Sequence, residues 1–399
     1  MGSAGGQARI PTADLIGGHT RAEIFASVLT GGPVSRTGLA RRLGLAHSSV
    51  TRMLPPLLEG GYLRESESVS LGRGRPQRML RVNPDKHTVV GVKIGPDRVA
   101  GVVTDMAAKV LARAEQPLED CSPGPALSAA AALTGRLLDA APDGAADRVL
   151  GLGVGVSGHV EPTVGTCRYS AMLGWRSVDV AGPLKAATGM PVVVNNDVNT
   201  LVVAERWFGQ GRDVDDFAVV TVGPGIGCGL LLSGSLYTGA TGMAGELGHL
   251  PIDPRGSLCG CGRRGCLEAL ASDGAVLDRI RIAGPFDCAT ITEAAALARD
   301  GSGAAGEAAR AAFADAGTAL GRGLAGLCNL LALQKIIIAG EGAAAYDLFG
   351  PAMTATLEEH AFSDAARDCL VRVHPVHDDM WARGAACLVV REAVRAPIS

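Results

Sequence analysis

The sequence of 399 residues predicts an α/β protein: an N-terminal winged helix-turn-helix followed by two similar α/β lobes with a cleft between them. Three observations carry this reading. The first 83 residues are short helical segments broken by Gly and Pro, with 11 Arg against 5 acids, a charge of +6. The rest holds 26 basic and 35 acidic residues, a charge of −9, so that only the first part is suited to a polyanion. From His87 the texture changes to short apolar runs that end in glycine-rich turns, and this pattern occurs twice. The 55 glycines have no Gly-X-Y period, which excludes collagen, and 47% hydrophobic content with a net charge of −3 excludes chain-wide disorder. No apolar run approaches the roughly 20 residues of a membrane span. The N-terminus lacks the pattern of a secretory signal, so residues 1–16 read as a disordered lead-in to a cytoplasmic protein with reduced thiols.

Residues 17–83 read as the DNA-binding domain. Thr20 to Thr30 carries Ile24, Val28 and Leu29 at helical spacing, and Gly31-Gly32-Pro33 ends it. Ser35 caps a second helix through Leu43, with Leu39, Ala40 and Leu43 inward, and Gly44 supplies the turn. Ser48 then caps a third helix, with Val50 and Leu54 inward. Ser48, Ser49, Thr51 and Arg52 are the candidate DNA contacts: small residues admit a helix to the major groove, and Arg reads guanine or clamps phosphate. Pro55-Pro56 removes two donors and should end this helix early. Strands at Tyr62–Arg64 and Met79–Val82 would enclose a wing, with Arg73 and Arg75 at a tip suited to a minor groove. The competing reading is a helical docking module that never touches DNA.

The body follows as strand and turn. Val89 to Gly95 is a buried strand with Arg98 to Thr104 as its hairpin partner, and Val149 to Val156 is another, ending at Ser157-Gly158-His159. Pro191 to Val194 leads through Asn195-Asn196-Asp197 into a helix ending at Phe208. Phe217 to Val222 runs into Gly223-Pro224-Gly225-Ile226-Gly227, and Leu230 to Leu232 completes a hairpin. Lys335 to Ala339 is a further strand, followed by Gly340-Glu341-Gly342. Glycines at such turns let backbone N–H groups approach a phosphate or a sugar.

The most specific signal follows the second glycine turn. His249, Cys259, Cys261 and Cys266 are spaced H-x9-C-x-C-x4-C, and the glycines between them permit the turns that bring three thiolates to one ion. Four protein ligands leave no open position, so the expectation is one structural zinc per chain. Cys121, Cys167, Cys228, Cys288, Cys328, Cys369 and Cys387 lack such spacing and read as small core residues.

Together these motifs resemble the ROK family (repressors, open reading frames and kinases), in particular its transcriptional regulators. The resemblance covers nearly the whole chain from about residue 17 and is strongest in Glu246-Leu247-Gly248-His249 and in the cysteine motif ending at Glu268. It implies a two-lobed actin-like (sugar kinase, ribonuclease H-like) domain over 84–399 behind the winged helix. Lobe one would span about 84–200 with 375–399, and lobe two about 201–374. It also implies sugar contacts at Asn196, Asp197, Glu246, His249 and Glu268, and at Gly158 and His159. In the family's kinases the Asp is the general base, which makes Asp197 a vestigial candidate for that role. His249 would serve the metal through one ring nitrogen and the sugar through the other.

Two phosphate loops depart from the kinases this sequence resembles. Their first reads approximately Asp-x-Gly-Gly-Thr, where this chain has Lys93-Ile94-Gly95-Pro96-Asp97. Their second reads Gly-Thr-Gly-x-Gly, where Pro224 replaces the hydroxyl residue. Glu341 adds an acid to a third, nucleotide-type loop. The expectation is a sugar-responsive repressor of carbohydrate genes, without kinase activity, acting on operator DNA as a homodimer or homotetramer. The alternatives are an ATP-dependent sugar kinase with an attached DNA-binding domain, and a regulator controlled by a protein partner.

Overall fold

Apolar residues at helical spacing, separated by Gly and Pro, build the first helices of the computed structural model, which describes residues 19–69, 77–375 and 378–394. They are α1 (His19–Gly31), α2 (Arg36–Leu43), α3 (His47–Met53) and α4 (Pro55–Glu59). Ser35 caps α2 as expected, its hydroxyl accepting the Gly38 N–H at 3.1 Å, and Gly44 ends it at φ +65°. The start of α3 differs. Its N-cap is Ala46, which has no side-chain acceptor, and Ser48 lies inside the first turn rather than capping it. The prolines act as expected: α3 stops at Met53, and Pro55 opens α4 at the position where a missing N–H is harmless. The wing strands β2 (Leu63–Val69) and β3 (Gln77–Val82) pair antiparallel, and β1 (Val34–Ser35) pairs on the far side of β3. Arg73, Arg75 and the lead-in at residues 1–16 lie outside the described residues.

The chain divides into two units, Met1–Arg212 with Asp378–Ser399, and Asp213–His377. The first unit holds a five-stranded sheet made of β4 (Thr88–Ile94), β5 (Arg98–Asp105), β6 (Val110–Pro117), β7 (Val149–Val156) and, after a small meander β8 (His159–Glu161), β9 (Thr166–Ser170) and β10 (Trp175–Asp179), β11 (Val192–Asn196). Its order is β11-β7-β4-β5-β6. His159 thus begins a strand instead of ending a turn. Between these strands run α5 (Pro123–Asp139) and α6 (Ala181–Thr188), and α7 (Asp197–Phe208) follows β11.

The C-terminal helix (Asp378–Val394) lies on one face of this sheet. Gly91 and Gly153 allow that approach, because a Cβ at either would strike the main chain at Ala382 or Ala385. Helix α7 packs closely on the same helix: the Thr200 hydroxyl, which donates to Asp197 O at 2.6 Å, also lies 3.2 Å from Trp381 O, and a Cβ at Gly384 would strike Thr200 O. The division between units therefore falls after Arg212, beyond the whole of α7, and not near residue 200.

The buried residues of the N-terminal winged domain, among them Ile24, Phe25, Val28, Val50, Leu54 and Leu57, form one cluster with Val389, Val390 and Ala393 of the C-terminal helix. Burying such side chains contributes roughly 1.5–3 kcal/mol each. The winged domain and the C-terminal helix therefore share a core.

In the second unit β12 (Phe217–Val222), β13 (Ile226–Leu232), β14 (Ser235–Tyr237), β15 (Lys335–Ala339) and β16 (Leu370–Val373) order as β14-β13-β12-β15-β16. Three antiparallel strands extended by two parallel ones repeat the pattern of the first sheet, as the recurring strand–turn texture predicts. Helices α8 (Leu267–Ala271), α9 (Asp273–Ala283), α10 (Ile291–Asp300), α11 (Gly303–Leu331) and α12 (Tyr346–His360) accompany it. Thr290 and Glu293 close a capping box at the start of α10.

Candidate functional site

On α3, Ser48, Thr51 and Arg52 are exposed and Ser49 is half-buried, while Val50 beneath them is fully buried. The Thr51 hydroxyl donates back to His47 O at 3.0 Å. His47, exposed in the first turn, belongs to the same surface and was not singled out from the sequence, because the helix was expected to be capped at Ser48, two residues after the Ala46 cap. At the root of the wing, Glu65 binds Arg36 at 2.6 Å and Arg78 at 3.2 Å, and these guanidinium partners, Arg36 foremost, hold its carboxyl below the usual range.

In the first unit, the polar residues cluster where β11 meets α7. Asn196 is the N-cap: its side-chain oxygen accepts the Val198 and Asn199 N–H groups at 2.9 and 3.3 Å, and its amide donates to Gly158 O at 2.8 Å. Asn196 therefore pins the Ser157–His159 turn to the helix start. Gly158 sits at φ +99° against Ser170, a conformation that disfavours any other residue. Asp197 is the first helical residue and only 8% exposed. Asn195, buried behind it, accepts from Asn199 Nδ2 at 3.0 Å and orders the doublet. Lys93 and Trp381 join this cluster, the Lys93 ammonium lying 3.9 Å from the centre of the indole ring. No short motif marks Trp381, which arrives from the far end of the chain.

In the second unit, His249, Cys259, Cys261 and Cys266 place one ligand atom each within 4.8 Å of one another. Cys259 Sγ lies 3.7 Å from His249 Nδ1, and the Cys261 and Cys266 sulfurs are 3.6 Å apart. Bond lengths of zinc to sulfur and nitrogen give tetrahedral edges of about 3.5–3.8 Å, and these two separations match such edges. The other ring nitrogen of His249 lies 4.0 Å from the Glu246 carboxylate. The local turns explain the closeness: Gly262 at φ +85° and Gly265 at φ +67° reverse the chain, and Cys259 N–H bonds Arg263 O at 2.7 Å. The group could hold a metal. Of the remaining cysteines, Cys121 is half-buried and the other six are buried.

Glu268 faces two ways. One carboxylate oxygen accepts the Ile226 N–H of the second glycine loop at 3.2 Å, and the other lies 3.9 Å from Cys259 Sγ. Two more acids approach that loop. A Cβ at Gly223 would meet Glu341 Oε2 at 3.1 Å, and the Asp273 N–H donates to Gly223 O at 2.9 Å. Burial, and then the nearby Glu341, push the Asp273 carboxyl up to about 6.

The profile of the ROK family matches residues 89–392, well over half of the chain. The chain belongs to the ROK family. It is 28% identical to the N-acetylglucosamine repressor of Escherichia coli O157:H7 over 97% of this chain and 96% of that protein. A crystal structure of a ROK family transcriptional regulator, a homologue of the E. coli Mlc protein, shares its fold with a TM-score of 0.78 at 24% identity, over 94% of this chain and 96% of the other. A ROK family glucokinase from Streptomyces griseus, solved with glucose and AMPPNP, matches 75% of this chain and 98% of its own, with a TM-score of 0.66 and 25% identity. ROK relatives thus include both regulators and kinases. Among the described residues, no helix is long and apolar enough to cross a membrane.

Proposed function

We propose that this ROK protein is a sugar-responsive, DNA-binding transcriptional regulator that represses genes of carbohydrate metabolism. The observation that carries the coupling is the C-terminal helix. Near its start Trp381 meets α7 through Thr200, three residues beyond Asp197, and its last turns share a core with the DNA-binding helices. A ligand that prefers one position of this helix shifts the DNA-binding domain by its differential affinity for the two states.

The residues assigned to sugar are Gly158, His159, Asn196 and Asp197, and Glu246, His249 and Glu268. Those assigned to operator DNA are Ser48, Ser49, Thr51 and Arg52, with Arg73 and Arg75 on the wing. A structural zinc held by His249, Cys259, Cys261 and Cys266, one per chain, fixes Glu246 and Glu268 on either side of the knot. A homodimer or homotetramer suits a pseudo-palindromic operator.

The likeness to a glucokinase and the retained Asp197 favour the kinase alternative. Against it stand Lys93 and Pro96 in the first loop, Pro224 in the second, and the carboxylates of Glu268 and Glu341 beside the second loop. Genome-wide mapping of DNA binding tests the proposal: sites should lie beside sugar uptake and catabolic operons. Stoichiometric ADP formation with glucose, N-acetylglucosamine or N-acetylmannosamine would replace it with the kinase reading.

A further inference from the structure

Lys93 lies on β4 in register with Gly155 of β7, and paired residues of parallel neighbours face the same side of a sheet. On that side a Cβ at Gly155 would lie 3.7 Å from the Asp197 Cβ and 3.3 Å from Thr200 Cγ2. Asp197 thus stands one strand away from Lys93, within reach of its four-carbon stem. The ammonium is held over Trp381, whose helix packs on α7 at Thr200. Trp381 is 4% exposed, and its ring N–H is buried with no acceptor among the described residues.

Besides Asp197, the charged or titratable groups on α7, β8 and the C-terminal helix are Glu205 and Arg206, His159 and Glu161, and Asp378, Asp379, Arg383, Cys387, Arg391 and Glu392. Asp379 lies 4.0 Å from Arg113, Arg383 stacks on Phe208 and donates to Ala108 O, and Glu205 accepts the Gln210 N–H at 2.6 Å.

We propose that Lys93 is a positioning residue for Asp197: its ammonium, braced on Trp381, keeps the carboxylate ionised and aimed as an acceptor for sugar hydroxyls. The proposal deepens the sugar-binding reading above and rests on it. A carboxylate beside a fixed cation stays charged at lower pH and is a poor proton acceptor, which suits a binding group better than a general base.

The test uses full-length protein labelled with 5-fluorotryptophan. Its three tryptophans give resonances assignable by Trp→Phe substitution, and the Trp381 resonance reports the charge state of its neighbours. In the wild type this resonance should stay flat between about pH 5 and 8. In Lys93→Met, which keeps the stem, it should acquire an inflection that Asp197→Asn abolishes. Lys93→Arg should restore the flat profile.

In parallel, calorimetry with N-acetylglucosamine, glucose and N-acetylmannosamine should show roughly tenfold weaker binding in Lys93→Met, recovered in part by Lys93→Arg. A flat profile in folded Lys93→Met overturns the proposal, whatever the sugar result. If the inflection appears but the wild type binds none of the three sugars, the pairing stands and the sugar reading falls.

Discussion

The metal-capable cluster of the second unit and the Asp197 cluster of the first are assembled in opposite ways. The first draws its four ligands from residues 249–266, brought together by tight turns within one short stretch. The second gathers Lys93, Gly155, Asp197 and Trp381 from two neighbouring strands and two helices, and the sheet itself sets their spacing. A local cluster closes short loops at little entropic cost but holds three thiols that gain most from an ion. A sheet-built cluster needs no ion and depends on close packing far from the site. Each should therefore fail to a different insult.

The largest effect should come from the packing. Gly153→Val forces a side chain into the main chain at Ala385, and overpacking of this kind should cost about 3 kcal/mol or more. Chemical denaturation of the purified protein would measure it, and an unchanged midpoint would show that the helix gives way. Next comes the local cluster. Cys261→Ser should reduce bound zinc, measured by elemental analysis, from about one ion per chain to nearly none. It should also loosen residues 249–268 to hydrogen exchange while the strands of the first unit keep their protection.

A smaller effect lies beside the second glycine loop. Asp273 has its carboxyl raised to about 6, so the folded state holds this proton more tightly than the unfolded state does. The stability it contributes is full at low pH and is lost as pH rises from about 4 through about 6. Asp273→Asn should therefore stabilise the protein at pH 7 by on the order of 2 kcal/mol and flatten that part of the pH profile. An equal loss at pH 4 and pH 7 would contradict this.

The same contrast explains what could be read in advance. The cysteine motif was legible because its chemistry is local: one His and three Cys, fixed spacings and glycines at the turns. Strands β7 and β15 were legible to the residue because their residues, apart from glycines and Lys335, are apolar and each ends at a turn, Ser157-Gly158 or Gly340. The start of α3 was misplaced by two residues, since Ser48 looks like a cap while the extended Ala46 takes that position without a side-chain bond. Strand β1, only two residues long, exists through its pairing with β3, and no local pattern announces it. Asn196 could be named as a polar contact, but its capping bonds and its hold on Gly158 needed three dimensions. Trp381 was invisible for the same reason: its neighbours are remote in sequence, and only the sheet and the C-terminal helix bring them to it.

The central claim is that sugar binding changes DNA binding. Its most direct test is fluorescence anisotropy of a genomic DNA fragment that the full-length protein selects, titrated with and without N-acetylglucosamine, glucose or N-acetylmannosamine. At least one sugar should weaken DNA binding by roughly tenfold, a coupling of about 1.4 kcal/mol. An identical Kd for DNA across all three, at concentrations that calorimetry shows to be saturating, would contradict the account.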